Sequence, residues 1–257
     1  MKKVTILLLT ALMTACSNNT DNDPQPVEYG TISLGIGNDE SVTVSPRAAA
    51  TDDELADYTI KILQNSEQKN TFVYKNRPNP ITVAAGAGYV VAAESCDEYA
   101  AESANENWGQ ARYAGASSSF EVKANQDNVA TLTCSMANMQ VSVTWDSSIA
   151  NTDKFTDYSL TMQKSTNASR TLTFNSSTTD KSAFFNVEAS ATLTGTISYT
   201  FNGQPKSASI TSIALVAKKH AKLTVKASDT GALTLVITID KSVTEKPLEE
   251  TINPYGE

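Results

Sequence analysis

The sequence predicts an all-β protein in which a signal peptide and a flexible linker precede two tandem β-sandwich domains. Three observations predict this fold. Only 19% of the residues are charged, and Ser, Thr, Asn and Ala are abundant. Many short segments alternate apolar and polar residues, and the second half of the chain repeats patterns of the first. This composition suits strands with one solvated face better than it suits helices.

The first sixteen residues are typical of a secreted protein. Lys2 and Lys3 precede an apolar run that closes at Cys16. A short run with a basic start predicts a signal peptide over residues 1–15 rather than a membrane-spanning helix. Its ending, Leu12-Met13-Thr14-Ala15-Cys16, resembles the lipobox of bacterial lipoproteins. The resemblance implies cleavage before Cys16 and acylation of its sulfur and of the new amino group. An ordinary signal peptide that ends near a chance Cys is the alternative.

The charge of the mature chain argues against two classes of partner. Loss of Lys2 and Lys3 changes the formal net charge from −8 to −10. Such a protein has no general attraction to nucleic acid or to anionic membrane surfaces. No other apolar run approaches the roughly 20 residues that a membrane span requires. We therefore expect contact with the membrane only through the lipid on Cys16.

Residues 16–28 are expected to form a tether. Positions 17–26 contain no apolar side chain, which is typical of a flexible segment. Asp21 and Asp23 make the segment similar to the surface-export signals of Bacteroidetes lipoproteins. That similarity implies a lipid-anchored location at the cell outer membrane, with the folded part exposed at the surface.

Alternating segments begin directly after the tether. The first two span residues 30–36 and 41–45, and a segment rich in strand breakers follows them. The period of two predicts half-buried strands. Further candidates span residues 57–62, 71–74, 86–93, 119–123 and 129–134.

Three short matches relate the two halves. Residues 57–62 match 157–162 at an offset of 100, and 122–124 match 225–227 at an offset of 103. Between them, 88–91 corresponds to 195–199. A period of this length exceeds the roughly 20–50 residues of solenoid repeats and fits sandwich domains. The predicted domains are residues 29–137 and 138–240, followed by a polar tail over 241–257.

Several motifs together resemble one family. They are the lipobox, Ser45-Pro46-Arg47, the strand at Tyr58, Gly86-Ala87-Gly88-Tyr89, Tyr113-Ala114-Gly115 before Phe120-Glu121-Val122, and Leu132 to Asn138. The set resembles a Bacteroidetes surface lipoprotein family of the domain-of-unknown-function type (DUF4493), which is similar in organisation to the fimbrillin-like subunits of type V pili. The resemblance implies two transthyretin-like β-sandwich domains and a role in adhesion or pilus assembly. Its expected partners are other pilin-like subunits, or host or glycan ligands.

The resemblance also implies a role for Arg47. In fimbrillin-like subunits a trypsin-like protease cuts after an Arg that follows the first strands, and a strand of the next subunit fills the groove. Arg47 lies in a polar segment between strand pairs, where a protease could reach it. The alternative is a loop arginine in an intact domain. A C-terminal donor strand should alternate apolar residues, whereas Val243, Leu248 and Ile252 are widely separated, which favours an anchor, cap or tip.

The remaining residues predict no catalytic, metal or cofactor site. Cys96 and Cys134 are the thiols left after Cys16 is acylated, and they form either a disulfide or two buried free thiols. The single histidine, His220, precedes a strand and is interpreted as a solvated strand-end residue. One His with few Cys builds neither a His-rich zinc site nor a recognisable Ser-His-Asp triad.

One long acidic segment, residues 97–113, is a candidate binding loop. Tyr99, Trp108 and Tyr113 could stack on a sugar ring. Glu98, Glu102 and Glu106 could accept hydroxyls or hold a cation. The alternative is that the aromatic side chains cap the open edge of a sandwich. Trp145, within an alternating strand, is assigned to the core.

Three classes of function follow. The first is a non-enzymatic adhesion or pilus-type surface lipoprotein, acting as an anchor or tip. The second is a carbohydrate-binding surface lipoprotein of a glycan-uptake system. The third is an enzyme, which the missing catalytic constellation disfavours.

Overall fold

The computed structural model describes residues 26–39, 51–228, 231–239 and 248–252. Cys16, the strand predicted at 41–45 and Arg47 lie outside these residues, so the roles assigned to them remain predictions. Among the described residues, no helix has the length and apolar character needed to cross a membrane.

Strands dominate the described part of the chain, which confirms the all-β prediction. They are β1 (Tyr29–Asp39), β2 (Thr59–Gln64), β3 (Glu67–Val73), β4 (Ile81–Ala84), β5 (Gly86–Glu94), β6 (Tyr113–Ala116), β7 (Phe120–Val122), β8 (Asp127–Met136), β9 (Asn138–Trp145), β10 (Phe155–Lys164), β11 (Asn167–Asn175), β12 (Ser182–Asn186), β13 (Thr192–Phe201), β14 (Gln204–Ala214), β15 (His220–Ala227), β16 (Leu233–Ile239) and β17 (Leu248–Ile252). Short helices interrupt them: α1 (Asp52–Leu55), α2 (Glu98–Ser103) and α3 (Ser147–Ala150).

The strands form three sheets. The amino-terminal half, up to β8, makes a sheet in the order β3-β2-β5-β6-β8-β1-β4, in which β7 also pairs with β5. The carboxyl-terminal half, from β9 onward, makes one sheet in the order β11-β10-β13-β14 and another in the order β12-β9-β15-β16-β17.

The alternation of apolar and polar residues along the strands places the apolar side chains in two separate cores. In β2, Ile60 and Ile62 are fully buried, and Leu160 and Met162 are fully buried at the corresponding positions of β10. One cluster collects side chains of the amino-terminal half and the other those of the carboxyl-terminal half, including Trp145 as predicted. Burial of each such side chain stabilises the fold by roughly 1.5–3 kcal/mol.

The two halves share a strand-pairing scheme, and one of the three predicted matches follows it. Lys61 of β2 lies opposite β3 and β5, and Thr161 of β10 lies opposite β11 and β13, so the offset of 100 holds there. The first strand of each half runs parallel to a late strand: β1 beside β8, and β9 beside β15. Each first strand also pairs antiparallel with a short strand, β4 or β12.

The other two matches are wrong. Ile62 lies opposite Val91 and Met162 lies opposite Gly195, so Gly195 corresponds to Val91 rather than to Gly88. Val122 belongs to β7, whereas the strand that corresponds to β15 is β8. The cause is that each match spans only three to five residues, and short alternating segments of different strands resemble one another, which makes them poor guides to strand identity and register.

The predicted first strand, residues 30–36, is confirmed and lies inside the sheet. β1 is longer than predicted and runs between β8 and β4. Ile32 and Ile36 point into the first core and are almost fully buried. The backbone approaches closely at Gly30, where a Cβ would stand 2.3 Å from the carbonyl oxygen of Lys123.

The polar tail predicted over residues 241–257 contains a strand. β17 pairs antiparallel with β16, with Leu248 opposite Ile237 and Ile252 opposite Leu233. The edge of β16 supplies the backbone partners, and that edge cannot be recognised from the tail sequence alone.

Candidate functional site

The acidic segment 97–113 connects the two halves rather than forming an open loop. Asp97 caps α2 by accepting a hydrogen bond from the backbone N–H of Ala100 at 2.6 Å, and Ala101 is fully buried. A left-handed turn follows α2, with positive φ at Asn105, Glu106, Asn107 and Gly109. A Cβ at Gly109 would stand 2.7 Å from the carbonyl oxygen of Ala101 and 3.0 Å from that of Phe184, so glycine permits this close approach.

A buried lysine ties α2 to the carboxyl-terminal half. The side chain of Lys164, at the end of β10, is 1% exposed. Its Nζ donates to Glu102 at 3.1 Å and also to Glu188. Glu102 accepts a further hydrogen bond from the backbone N–H of Asn186 at 2.8 Å. The hydrogen bond from Lys164 is the main reason that the pKa of Glu188 is lowered.

A buried arginine holds the turn from the other side. Arg170 of β11 donates from Nη1 to the carbonyl of Asn107 and from Nη2 to the carbonyl of Phe184 at 2.9 Å. Its guanidinium lies 5.1 Å from the ring centroid of Phe185. Burial lowers the pKa of Arg170, and the nearby charge of Glu102 opposes that effect.

The three aromatic residues predicted as a sugar platform are not brought together. Trp108 packs on the second core, edge to face with Phe174 at 4.9 Å between ring centroids. Tyr113 lies in β6 and packs on the first core, while Tyr99 is 82% exposed on α2. The prediction of a single platform of three aromatic residues is therefore wrong, because the segment packs against two different cores.

An open groove does lie beside Trp108. We call it the Trp108 groove; its volume is about 520 Å³, and it lies between the left-handed turn and β12. Its lining residues are Asn105, Glu106, Trp108, Gly109, Asp180, Lys181, Ser182 and Phe184. The Nζ atom of Lys181 lies 5.3 Å from the Trp108 ring centroid and 3.7 Å from Oε2 of Glu106.

A second ionic cluster fixes the other end of the segment. Arg112 donates to Glu94 at 2.9 Å, and Lys61 donates to the same carboxylate at 2.6 Å. Burial acts to raise the pKa of Glu94, but the hydrogen bonds from Lys61 and Arg112 outweigh it and lower the pKa. Nε of Arg112 also donates to the carbonyl of Cys96 at 3.2 Å.

Both described cysteines are free thiols, so the disulfide alternative is not realised in the structure. Cys134 is fully buried in β8 and donates weakly to the carbonyl of Ala93 at 3.7 Å. Burial raises the pKa of the Cys134 thiol to about 11. Cys96 is half-buried just after β5.

His220 is more than a solvated strand-end residue. Its Nε2 lies 2.8 Å from Oγ of Ser142 on the neighbouring parallel strand β9. This contact depends on the register of two strands almost 80 residues apart in sequence, for which the chain carries no local signal. Among the described residues, no cluster of three or more His, Cys, Asp or Glu is arranged to hold a metal ion.

The fold is similar to that of a fimbrial protein of known structure. The chain is similar to the crystal structure of a fimbrial assembly protein from Parabacteroides distasonis, with 11% identity, a TM-score of 0.51, and coverage of 88% of this chain and 99% of that one. It is also similar to the fimbrial anchor protein Mfa2 from Porphyromonas gingivalis, with 11% identity, a TM-score of 0.44, and coverage of 88% and 100%. At such identity the likeness describes the fold alone. No curated protein matches the chain.

The family is established by the sequence itself. Residues 28–254 match the family described as "Domain of unknown function (DUF4493)". The match covers most of the chain, so the protein belongs to that family, as the motifs predicted.

Proposed function

We propose that this protein is a non-enzymatic surface lipoprotein with a pilus-type or adhesion role, acting as an anchor or tip. The observation that carries the proposal is the fold, which corresponds over 88% of this chain to a fimbrial assembly protein. The lipobox at Cys16 supplies the attachment, and acyl chains on that residue hold the folded part at the outer membrane.

Two tandem β-sandwich domains, residues 29–137 and 138–240, are part of this proposal. The two separate cores and the shared strand-pairing scheme support them. Among the described residues of the amino-terminal half, no strand follows β8 in the way that β16 and β17 follow β15. They extend the last sheet past β15, where β17 covers the edge of β16.

The fate of β1 distinguishes an anchor or tip from a polymerising subunit. β1 pairs with β8 along nine residues and with β4 along four. Loss of β1 after a cut at Arg47 would remove Ile32 and Ile36 from the first core and expose the edges of both neighbours. An intact chain from Cys16 onward therefore fits the anchor role, and cleavage after Arg47 fits a polymerising subunit.

The lipid anchor is tested in the source bacterium. Cells grown with an alkyne-tagged fatty acid should incorporate the tag into wild-type protein but not into Cys16→Ser protein.

Mass spectrometry of protein recovered from the outer membrane should identify peptides that span the Arg47–Ala48 bond. Quantitative loss of that peptide would show cleavage and would move the assignment from anchor to polymerising subunit.

The role is tested by deletion of the gene. We expect surface fibres that are fewer, or shed into the medium, by electron microscopy, or reduced attachment of cells to host surfaces. Wild-type protein should restore the phenotype, and Cys16→Ser protein should not. Unchanged fibres and unchanged attachment in the deletion strain would refute the proposal.

A further inference from the structure

Hydrogen bonds within the chain hold the walls of the Trp108 groove in place. Nδ2 of Asn105 donates to the carbonyl of Gly109 at 2.8 Å and closes the turn. The backbone N–H of Phe184 donates to the carbonyl of Trp108 at 2.8 Å, which joins the turn to β12. Because these bonds and Arg170 hold the walls, a ligand would bind without a large cost for ordering the site.

The lining chemistry combines an aromatic surface with hydrogen-bonding groups. Trp108 and Phe184 are both half-buried, so part of each ring faces the groove. Carboxylates of Glu106 and Asp180 are acceptors, and Lys181 and Ser182 add donors. The volume of about 520 Å³ lies within the range of small-molecule pockets, about 300–1,000 Å³.

The face of Trp108 already attracts a positively polarised partner. The ammonium of Lys181 lies over the ring and beside Glu106. The C–H face of a pyranose makes the same kind of contact with an aromatic ring, since its hydrogens carry partial positive charge. A sugar ring could replace Lys181 over the indole while Lys181 keeps its carboxylate partner.

The free edge of β12 is not available for pairing with a peptide strand. The N–H of Phe184 is bonded to Trp108 and its carbonyl to Arg170. The N–H of Asn186 is bonded to Glu102. Strand addition needs these backbone groups, so recognition in the groove has to come from side chains, which suits a ligand rich in hydroxyls.

We propose that the Trp108 groove is a saccharide-binding site, in which a pyranose ring stacks on Trp108 and its hydroxyls bond to Glu106, Asp180, Lys181 and Ser182. This proposal does not rest on the pilus or adhesion role. It replaces the three-aromatic platform with a site made jointly by the left-handed turn and β12.

Fluorescence provides a direct test, because the chain contains only two tryptophans. In Trp145→Phe protein, Trp108 is the single indole reporter. The detergent-solubilised full chain is first screened on an array of defined mucin-type and plant oligosaccharides. The oligosaccharides that bind are then titrated against the Trp145→Phe protein, and we expect a saturable change in Trp108 emission.

Variants separate the groove from the rest of the segment. Asp180→Asn combined with Lys181→Ala changes two residues at the rim and should weaken binding about tenfold. Trp108→Phe keeps an aromatic ring on Phe174 and should also weaken binding. Tyr99→Ala, on the exposed face of α2, is the matched control and should leave the affinity unchanged.

Each outcome decides the proposal. Circular dichroism establishes that each variant is folded, and the rim variant remains informative if Trp108→Phe does not fold. Absence of binding to every oligosaccharide on the array overturns the proposal, as does binding that persists in the rim variant or falls equally in Tyr99→Ala. A Trp108 signal from a peptide panel instead of oligosaccharides also overturns it.

Discussion

Two acids, the partly buried Glu94 and the exposed Glu188, show how single residues stabilise this fold. Each accepts hydrogen bonds from a lysine, and for each the pKa is lowered from its ordinary value of 4.5. A lowered folded-state pKa means that the unfolded chain binds protons more readily. The stabilisation is therefore present above the unfolded pKa and is lost as the pH falls through the folded pKa.

Glu94→Gln tests this linkage. The variant should be less stable than wild type near neutral pH, because Lys61 and Arg112 lose a charged partner. The difference should shrink as the pH falls below about 4.5, where protonation removes the same charge from the wild type. Urea denaturation across this pH range measures it. Glu67→Gln, which changes an exposed pair with Lys69, is the control. A difference in the free energy of unfolding between Glu94→Gln and the wild type that did not vary with pH would contradict the expectation.

Cys134 should be chemically inert in the native protein. With a pKa of about 11, only about one thousandth of its thiol is thiolate at pH 8, and the side chain has no exposed surface. Alkylation with iodoacetamide followed by peptide mapping should therefore modify Cys134 only after denaturation. Cys96→Ser protein serves as the control that removes the other described thiol. Rapid native labelling of Cys134 would be the opposite result.

Strand β1 is the element on which the amino-terminal half depends. Gly30 and Gly37 both lie in β1, yet their surroundings differ. A Cβ at Gly30 would stand 2.3 Å from the carbonyl oxygen of Lys123, whereas the nearest atom to a Cβ at Gly37 is Oγ1 of Thr133 at 3.7 Å. Gly30 therefore lacks space for a methyl group, whereas Gly37 has that space.

Gly30→Ala should therefore lower the free energy of unfolding by about 2 kcal/mol, since the backbone carbonyl it meets cannot move cheaply. Gly37→Ala, the matched control in the same strand, should change it by no more than about 0.5 kcal/mol. Thermal and urea denaturation of both variants provide the comparison. Equal effects of the two substitutions would mean that space around Gly30 does not limit the packing of β1.

At the scale of the whole molecule, segment 97–113 couples the two halves. Its buried contacts to Lys164, Arg170 and Asn186 all cross from the amino-terminal to the carboxyl-terminal half. A buried ammonium needs its carboxylate partners, and removal of one partner commonly costs several kcal/mol. The network therefore favours unfolding of the described chain as a single unit.

Glu102→Ala should weaken that coupling. We expect a loss of about 3 kcal/mol, because Lys164 and the N–H of Asn186 lose a shared acceptor, and a single calorimetric transition should broaden or divide in two. Glu106→Ala, in the same segment but 87% exposed, should change the stability by no more than about 0.5 kcal/mol. A sharp single transition of unaltered midpoint in Glu102→Ala would exclude a coupling role.

The part of the fold that the sequence predicted depends on patterns of apolar and polar residues within single segments. The period of two is a property of each strand, so β1, β2 and β10 and their buried positions were visible in the sequence. The lipobox and the family motifs are contiguous as well, which is why the family could be recognised. Where the prediction required the identity of corresponding strands, as with Val122, or their register, as with Gly88, it failed, because short alternating segments resemble one another.

The sequence by itself determined the all-β class, the family and the expectation of a lipid on Cys16. Only the tertiary structure decided that residues 97–113 join the halves, that Trp108 and Tyr113 belong to different cores, and that Leu248 and Ile252 lie on a sheet edge. The physical reason is that these outcomes depend on pairs of residues far apart in the chain. Lys164 and Glu102 become partners only when β10 and α2 are already in place.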